Sequence, residues 1–262
     1  MPNFRNLPMK KTLQVLNGIA FVSTIFVNYL SNTGIMNGKT IGSISDNIKS
    51  LFTPAGYAFS IWGLIYLFLT GFIFYQGRSL VKKNTDDGFI EKISFWFIIS
   101  CIANCAWIFS WVYEYTGTSC IFIFILLFAI LKIILSNDMQ INTTSKSKLI
   151  FLNLPFVVYG GWVTVASVAN VSSFLVKIDW NGFGLSSETW TIIMIIIATL
   201  VNLMVVFKRN MYAFAFVGAW ALIAIGVANQ ASQNSITLVT YIASALLIFY
   251  NAFRKFKATA SF

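Results

Sequence analysis

The chain has 262 residues, of which 58% are hydrophobic and 10% charged, with 26 Phe and a net charge of +10. Its mean hydropathy of +0.77 lies far above that of soluble domains, which excludes an ordinary soluble fold. With no histidine, the chain also lacks the commonest general base and the commonest metal ligand.

An uncharged apolar run of about 20 residues, rising 1.5 Å per residue as a helix, covers the roughly 30 Å hydrocarbon core of a bilayer. Eight runs meet that rule, at roughly 12–31, 55–76, 94–113, 118–136, 149–171, 189–207, 211–229 and 236–253. They are too long and too continuously apolar for the alternating strands of a membrane barrel. The expected fold is therefore all-α: a polytopic transmembrane helical bundle of about eight helices.

The first run follows "MPNFRNLPMKK", which starts like a signal peptide. It has no small-residue cleavage site and its apolar stretch is long, so it reads as a retained first helix. The connection Thr33–Ser50, rich in Gly, Ser and Asn, reads equally as a lid or as plain connector. It leads into "LFTPAGYAFSIWGLIYLFLTGFIFYQ", where Pro54 and Gly56 set the turn into the second helix, Pro being tolerated in a first turn. Phe59, Trp62 and Tyr66 then share one helix face. A buried indole or phenol needs a hydrogen-bond partner or a ligand.

The third run carries a matching stripe of Asn104, Trp107 and Trp111, with Cys101 and Cys105 on one face as small packing residues. In the fourth, Lys132 is the one charge well inside a run, near an end where its stem can snorkel. The fifth bears Tyr159, Trp162, Ala166 and Asn170 at helical spacing. The connectors "GRSLVKKNTDDGFIEK" and "DMQINTTSKSK" read as solvated charge. The segment "KIDWNGFGLSSETW" combines turn residues and charge, and it divides a five-helix unit, residues 1–176, from a three-helix extension, residues 177–262. Small residues (Gly56 and Ser60, Gly160 and Gly161, Ala215 and Ala219, Ala224 and Ala228) allow backbones to approach closely, within the bundle or across a homodimer face; the pattern does not choose between them.

With the N-terminus inside, 15 of the 18 Lys and Arg fall inside, against Lys39, Lys49 and Lys177 outside. That asymmetry follows the positive-inside rule. It makes the basic balance topological and removes nucleic acid as a partner. All eight acidic residues lie in loops or at helix ends, which argues against an ion-driven pump and leaves acid-base catalysis without candidates. No lysine lies within the last two runs, so a retinal Schiff base there is excluded.

In this topology the stripes of the second, third and fifth runs lie at similar depth and can face one outward-opening cavity, mostly apolar with a few orienting polar groups, as small-molecule sites are. The competing reading is packing: buried Asn, Tyr and Trp join membrane helices by hydrogen bonds, and Trp111, Tyr113 and Tyr115 suit an interfacial aromatic belt.

At the same stripes the sequence resembles the TspO/MBR family, the tryptophan-rich sensory proteins that include the mitochondrial translocator protein. "FTPAGYAFSIWGLIYLF" is similar to that family's Phe-x-Pro-Pro approach to helix two and its following Trp and Leu-Tyr; "ANCAWIFSW" to the Leu-Asn-x-x-Trp-Ser element of helix three; and "YGGWVTVASVAN" to the Tyr-x-x-Trp-Val-x-x-Ala-x-x-x-Asn element of helix five. The resemblance spans roughly residues 10–175. It implies a five-helix bundle with a loop folded over a cavity for porphyrins, sterols and other lipophilic ligands. On matching positions fall Trp62, Tyr66, Asn104, Trp107, Tyr159, Trp162, Ala166 and Asn170; Tyr57 and Phe59 at the head of the second run complete the expected ligand-binding set. The departures are Ala55 in place of the second Pro, Tyr57 as the aromatic after it, a Tyr57 to Trp62 spacing one residue short, and a first outer loop without tryptophan. The last three helices resemble those of longer bacterial members.

The expectation is thus a multi-pass protein, of a bacterial inner membrane with both termini cytoplasmic, that binds a hydrophobic small molecule (porphyrin, haem or sterol-like) as a sensor or carrier. No cofactor and no catalytic residue is expected, and membrane lipid is the other partner. A facilitative transporter of lipophilic molecules and a tetrapyrrole-degrading enzyme are the rival readings.

Overall fold

A computed structural model describes residues 7–48, 50–82, 86–141 and 145–260; Arg5, Lys49 and Lys83 of the charge pattern lie outside them. The described residues form helices and turns only. In order the elements are α1 (Leu7–Asn32), α2 (Ile41–Asn47), a 3₁₀ turn Gly56–Ser60 running into α3 (Ile61–Val81), α4 (Phe89–Ile93), α5 (Trp96–Val112), α6 (Thr116–Ser136), α7 (Lys146–Lys148), a π turn Leu149–Asn153 running into α8 (Leu154–Lys177), α9 (Ser187–Arg209), α10 (Tyr212–Asn229) and α11 (Asn234–Ala260). Seven of these segments are long and apolar enough to cross a membrane; the eighth expected span is the shorter apolar helix Trp96–Val112. The protein is an all-α, multi-pass integral membrane protein.

The π turn has a local cause. Pro155 sits at the start of α8 and has no N–H to give to the carbonyl four residues back. The backbone therefore widens to the looser π register over Leu149–Asn153 before regular helix resumes. At Pro54 the expectation needs correcting. The helical hydrogen bonds begin only at Gly56, so Pro54 lies in extended chain before the helix and not in its first turn.

Helices α3, α1, α5, α6 and α8 close a ring in which each packs on the next and α8 returns to α3. Helices α9, α10 and α11 pack on one another, and α10 alone of the three packs extensively on the ring, against α8. One continuous hydrophobic core runs through both groups, from Leu13 in α1 to Leu247 in α11. The small residues at the α8 contact are spent inside the chain. A Cβ on Gly161 would stand 3.0 Å from the Phe214 carbonyl oxygen and 3.2 Å from the Val217 Cβ, and one on Gly160 would meet Ile134 at 3.1 Å.

Charges gather at the two ends of the bundle. At the end bearing the N-terminus of α1, Lys10 pairs with Asp87 at 3.1 Å and Lys148 with Asp86 at 2.6 Å. Arg254 donates there to the Phe207 carbonyl at 3.2 Å and to Asn210 at 3.1 Å. Lys132 leans its ammonium toward the Trp96 and Phe128 rings, 5.9 Å from each centroid, as a snorkelling lysine does.

Because the neighbour of Gly161 is backbone, that contact cannot give way. Gly161→Leu is expected to destabilise the protein by about 1–3 kcal/mol through overpacking. At Gly63, where nothing lies within 4 Å of an added Cβ, Gly63→Ala is expected to be neutral or to stabilise by about 0.5–1 kcal/mol. Thermal unfolding in a mild detergent checks both.

Candidate functional site

Within the five-helix ring, α3, α5 and α8 bring their aromatic stripes together around Trp62. Its ring stacks on Tyr66 (centroids 5.8 Å, 21°), tilts against Trp107 (5.8 Å, 32°), and meets Tyr159 (5.8 Å, 76°) and Trp162 (6.3 Å, 85°) edge to face. Phe59 closes on Trp162 from above at 5.9 Å, and Trp111 stacks on Trp107 at 6.3 Å. Offset and edge-to-face pairs of this kind are each worth about 0.5–1.5 kcal/mol beyond the area they bury.

Beside the cluster lies a small cavity of about 30 Å³, lined by Phe59, Trp62, Trp107, Trp111, Trp162, Ala166 and Asn170 together with Ser45, Thr53, Pro54, Val165, Ala169 and Ser173. Tyr66, Asn104 and Tyr159 lie outside this lining. Tyr57 is not brought to the cluster at all. It is 43% exposed and meets Trp220 of α10 edge-on at 5.2 Å, because the 3₁₀ turn rotates it away from the face carrying Trp62.

The polar groups divide sharply into satisfied and unsatisfied. Asn170 Oδ1 accepts from Trp107 Nε1 at 2.7 Å and from Ser119 Oγ at 3.2 Å, while its Nδ2 lies 2.8 Å from Ser119 Oγ and 3.1 Å from Cys120 Sγ. Asn104 Oδ1 accepts from Asn28 Nδ2 at 2.8 Å, and its Nδ2 donates to the Tyr159 hydroxyl at 3.3 Å. Three residues expected to bind a ligand, Asn104, Tyr159 and Asn170, are thus engaged by the protein itself. By contrast Trp62 Nε1, Trp162 Nε1, the Tyr66 hydroxyl and Thr53 Oγ1 are buried with no partner among the described residues. A buried donor left unmade costs about 1–3 kcal/mol, so four in one place is unusual.

The α1–α3 loop roofs the cavity. Thr40 caps α2 through a reciprocal bond with Ser43, and Ile41 and Ile44 are buried beneath. The loop is tied to the end of α5: Asn37 donates to the Val112 carbonyl at 3.0 Å, Tyr113 to the Met36 carbonyl at 2.6 Å and Trp111 to the Ile41 carbonyl at 3.2 Å. Trp111 therefore serves the roof and the cavity wall and not an interfacial belt. Lys39 also pairs with Glu114, whose carboxylate lies 3.5 Å from Lys177 at the end of α8. The Lys39 hydrogen bond holds the Glu114 carboxyl below its ordinary range.

On the far side the loop is gripped by α10. The Ala55 N–H donates to the Ala224 carbonyl at 3.0 Å, and Asn229 Nδ2 to the Leu51 carbonyl at 2.9 Å. Sequence reasoning missed Asn28, Ser119, Ser45 and Thr53, because each sits on an element where no aromatic stripe marks the inward face. The grip of α10 was also invisible, since its acceptors are backbone carbonyls and one of its two donors is a backbone N–H.

A ring of five helices, an aromatic cluster at its centre and a helical roof define a polytopic membrane protein with a small aromatic-lined cavity. The family model for TSPO-like proteins matches residues 14–253, the three-helix extension included, and the chain belongs to that family. No curated protein and no solved structure matches it.

Two tests follow from this geometry. Tyr159→Phe strips Asn104 of a partner and is expected to cost about 1–3 kcal/mol, whereas Tyr66→Phe deletes an unpartnered hydroxyl and is expected to be neutral or stabilising; in thermal unfolding of the two variants, identical in chemistry, only Tyr159→Phe should lower the midpoint. Because the folded-state pKa of Glu114 is depressed, its clasp contributes fully above the unfolded value and is lost as pH falls through the folded one. Hydrogen exchange in residues 33–48 is therefore expected to accelerate below the ordinary carboxylate range, and Glu114→Gln to show that faster exchange already at pH 7.

Proposed function

We propose that the chain binds a flat hydrophobic molecule of the porphyrin or sterol-like class in the chamber between α3, α5 and α8, and acts as a sensor or carrier of it. One observation carries this reading: Trp62, Trp162 and Thr53 each bring an unpartnered buried polar atom to the lining of a single cavity. A packing role alone leaves those groups unexplained, since buried polar groups in membranes find partners where packing decides their place.

Size sets the second step. A space of about 30 Å³ has room for little more than a water, whereas drug-sized ligands occupy pockets of about 300–1,000 Å³. Binding therefore requires a wall to move. Trp107 is fixed by its bond to Asn170, but Trp62 is held by ring contacts alone. Swinging its indole aside would open the centre of the cluster and uncover the Tyr66 hydroxyl stacked beneath it. In this reading Trp62 occupies the ligand's place in the closed form. The concentration of basic side chains at the face bearing the N-terminus of α1 favours an orientation with both termini cytoplasmic, which puts the roof on the outside.

The measurement is saturable quenching of tryptophan fluorescence by protoporphyrin IX, haem or a sterol-like probe in nanodiscs. Tyr66→Phe and Trp162→Phe are each expected to weaken binding about 3- to 10-fold, the worth of one net hydrogen bond. Linear, unsaturated quenching by every probe, or affinities untouched by both substitutions in a folded protein, would overturn the reading.

A further inference from the structure

A cavity much larger than the aromatic chamber lies elsewhere among the described residues. Helices α8 and α9 are consecutive, yet α9 packs chiefly against α10 and α11 while α8 packs against α6, α10 and α3. The two diverge below their connecting turn and leave between them, with α6 as the far wall, a groove of about 850 Å³. Its floor and walls are apolar through Leu127 of α6, Val168 and Val171 of α8 and Met194 of α9. It reaches down to Thr164, 13 residues below Lys177 and so about 20 Å along the helix. The groove thus runs from the interface past the middle of a hydrocarbon layer of about 30 Å.

Its mouth has a distinct chemistry. Trp180 and Trp190 stand 5.3 Å apart at 52°, and Phe183 meets Trp180 edge-on at 5.2 Å. Trp190 Nε1 donates to the Gly182 carbonyl at 2.6 Å, which pins the aromatic pair to the turn. Asp179 is the one charged side chain among the residues lining the groove. The nearest cation in sequence, Lys177, is turned to Glu114, donating to its backbone carbonyl at 2.7 Å. The other carboxylate nearby, Glu188 in the first turn of α9, adds to the negative field. Beside this corner stands the N-terminal end of α9, capped by Ser186, whose hydroxyl accepts from the Thr189 N–H at 3.1 Å, with Ser187 next to it; this end of a helix favours negative groups.

We propose that this groove holds one membrane phospholipid with an ammonium headgroup, its acyl chain lying along α8 between α6 and α9. Aromatic faces beside a carboxylate attract an ammonium or quaternary ammonium ion, and the start of α9 meets the phosphate of the same headgroup. The groove's depth suits a chain entering from the bilayer, and its single anionic side chain selects against lipids of net negative charge. The site is separate from the aromatic chamber and does not rest on ligand binding there.

The test is native mass spectrometry of the full chain in detergent, titrated with phosphatidylethanolamine and phosphatidylglycerol of identical acyl chains. One phosphatidylethanolamine is expected to be retained per chain, with about five- to tenfold preference over phosphatidylglycerol. Asp179→Asn, on the exposed turn, is expected to bring the preference close to unity with the fold intact by circular dichroism. Val168→Phe, which narrows the groove without adding a tryptophan, is expected to abolish retention of both lipids while leaving porphyrin quenching unchanged; if that variant does not fold, the Asp179→Asn result decides alone. The proposal is overturned if wild type retains no lipid, retains both headgroups equally, or keeps its preference in Asp179→Asn. It is equally overturned if cross-linking shows a second copy of the chain seated over Val168 and Met194.

Discussion

Asn170 is the point on which the membrane core depends. In hydrocarbon no water is available to satisfy a polar group, so a side chain that offers donors and acceptors to three helices fixes their mutual position. From α8 it accepts from Trp107 of α5 and bonds to Ser119 of α6, holding together the half of the ring opposite α3. Lower in the bundle Asn104 does the same for α1, α5 and α8 through Asn28 and Tyr159. These bonds are local and directional, and they set the register of the helices that carry Trp107 and Trp162.

Helix α3 is attached by different means. Near the roof its aromatic residues touch α5 and α8 through ring faces and edges, and the hydrogen-bonding atoms of Trp62 and Tyr66 are left over. Near the opposite end α3 is held firmly, where Gln76 takes part in a buried network with Gln14 and Asn17 of α1. The ring is thus polar and fixed on one side and apolar and adaptable on the other. Ring contacts are weakly directional compared with hydrogen bonds, so a side chain held only by them changes rotamer at lower cost than one tied by its N–H.

Most of the architecture was legible in the sequence because hydrocarbon imposes length and composition so strongly. Each of the eight apolar runs became a helix, and the stripes of Trp62 with Tyr66, Trp107 with Asn104, and Trp162 with Tyr159 met where helical spacing placed them. Residue types alone did not separate the roles within a stripe. Asn104, Tyr159 and Asn170 read as ligand partners; in the structure Asn104 bonds to Tyr159 and to Asn28, and Asn170 to Trp107 and to Ser119, and Asn28 and Ser119 sit on helices with no comparable signal. Tyr57 failed for a backbone reason: a 3₁₀ turn advances about 120° per residue where an α-helix advances 100°, so its face cannot be projected from α3. The volume of the chamber, set by how closely three helices approach, has no counterpart in one-dimensional spacing.

The roof shows how the extension enters the working of the ring. At its start the α1–α3 loop is joined to α5 and α8 through Glu114, an exposed ion pair with both Lys39 and Lys177, and such pairs are screened by salt and worth little. At its end it is joined to α10 by a backbone hydrogen bond at Ala55 and by Asn229 at the Leu51 carbonyl, a partly buried contact. The start of the loop is held as well by the Asn37, Tyr113 and Trp111 hydrogen bonds to the end of α5, so the roof is fixed to the ring on one side and to α10 on the other. The attachment to α10 lies just before α3, with Ala55 seven residues before Trp62. Helix α10 thus supports the roof where it runs into α3, although no residue of α9, α10 or α11 lines the cavity.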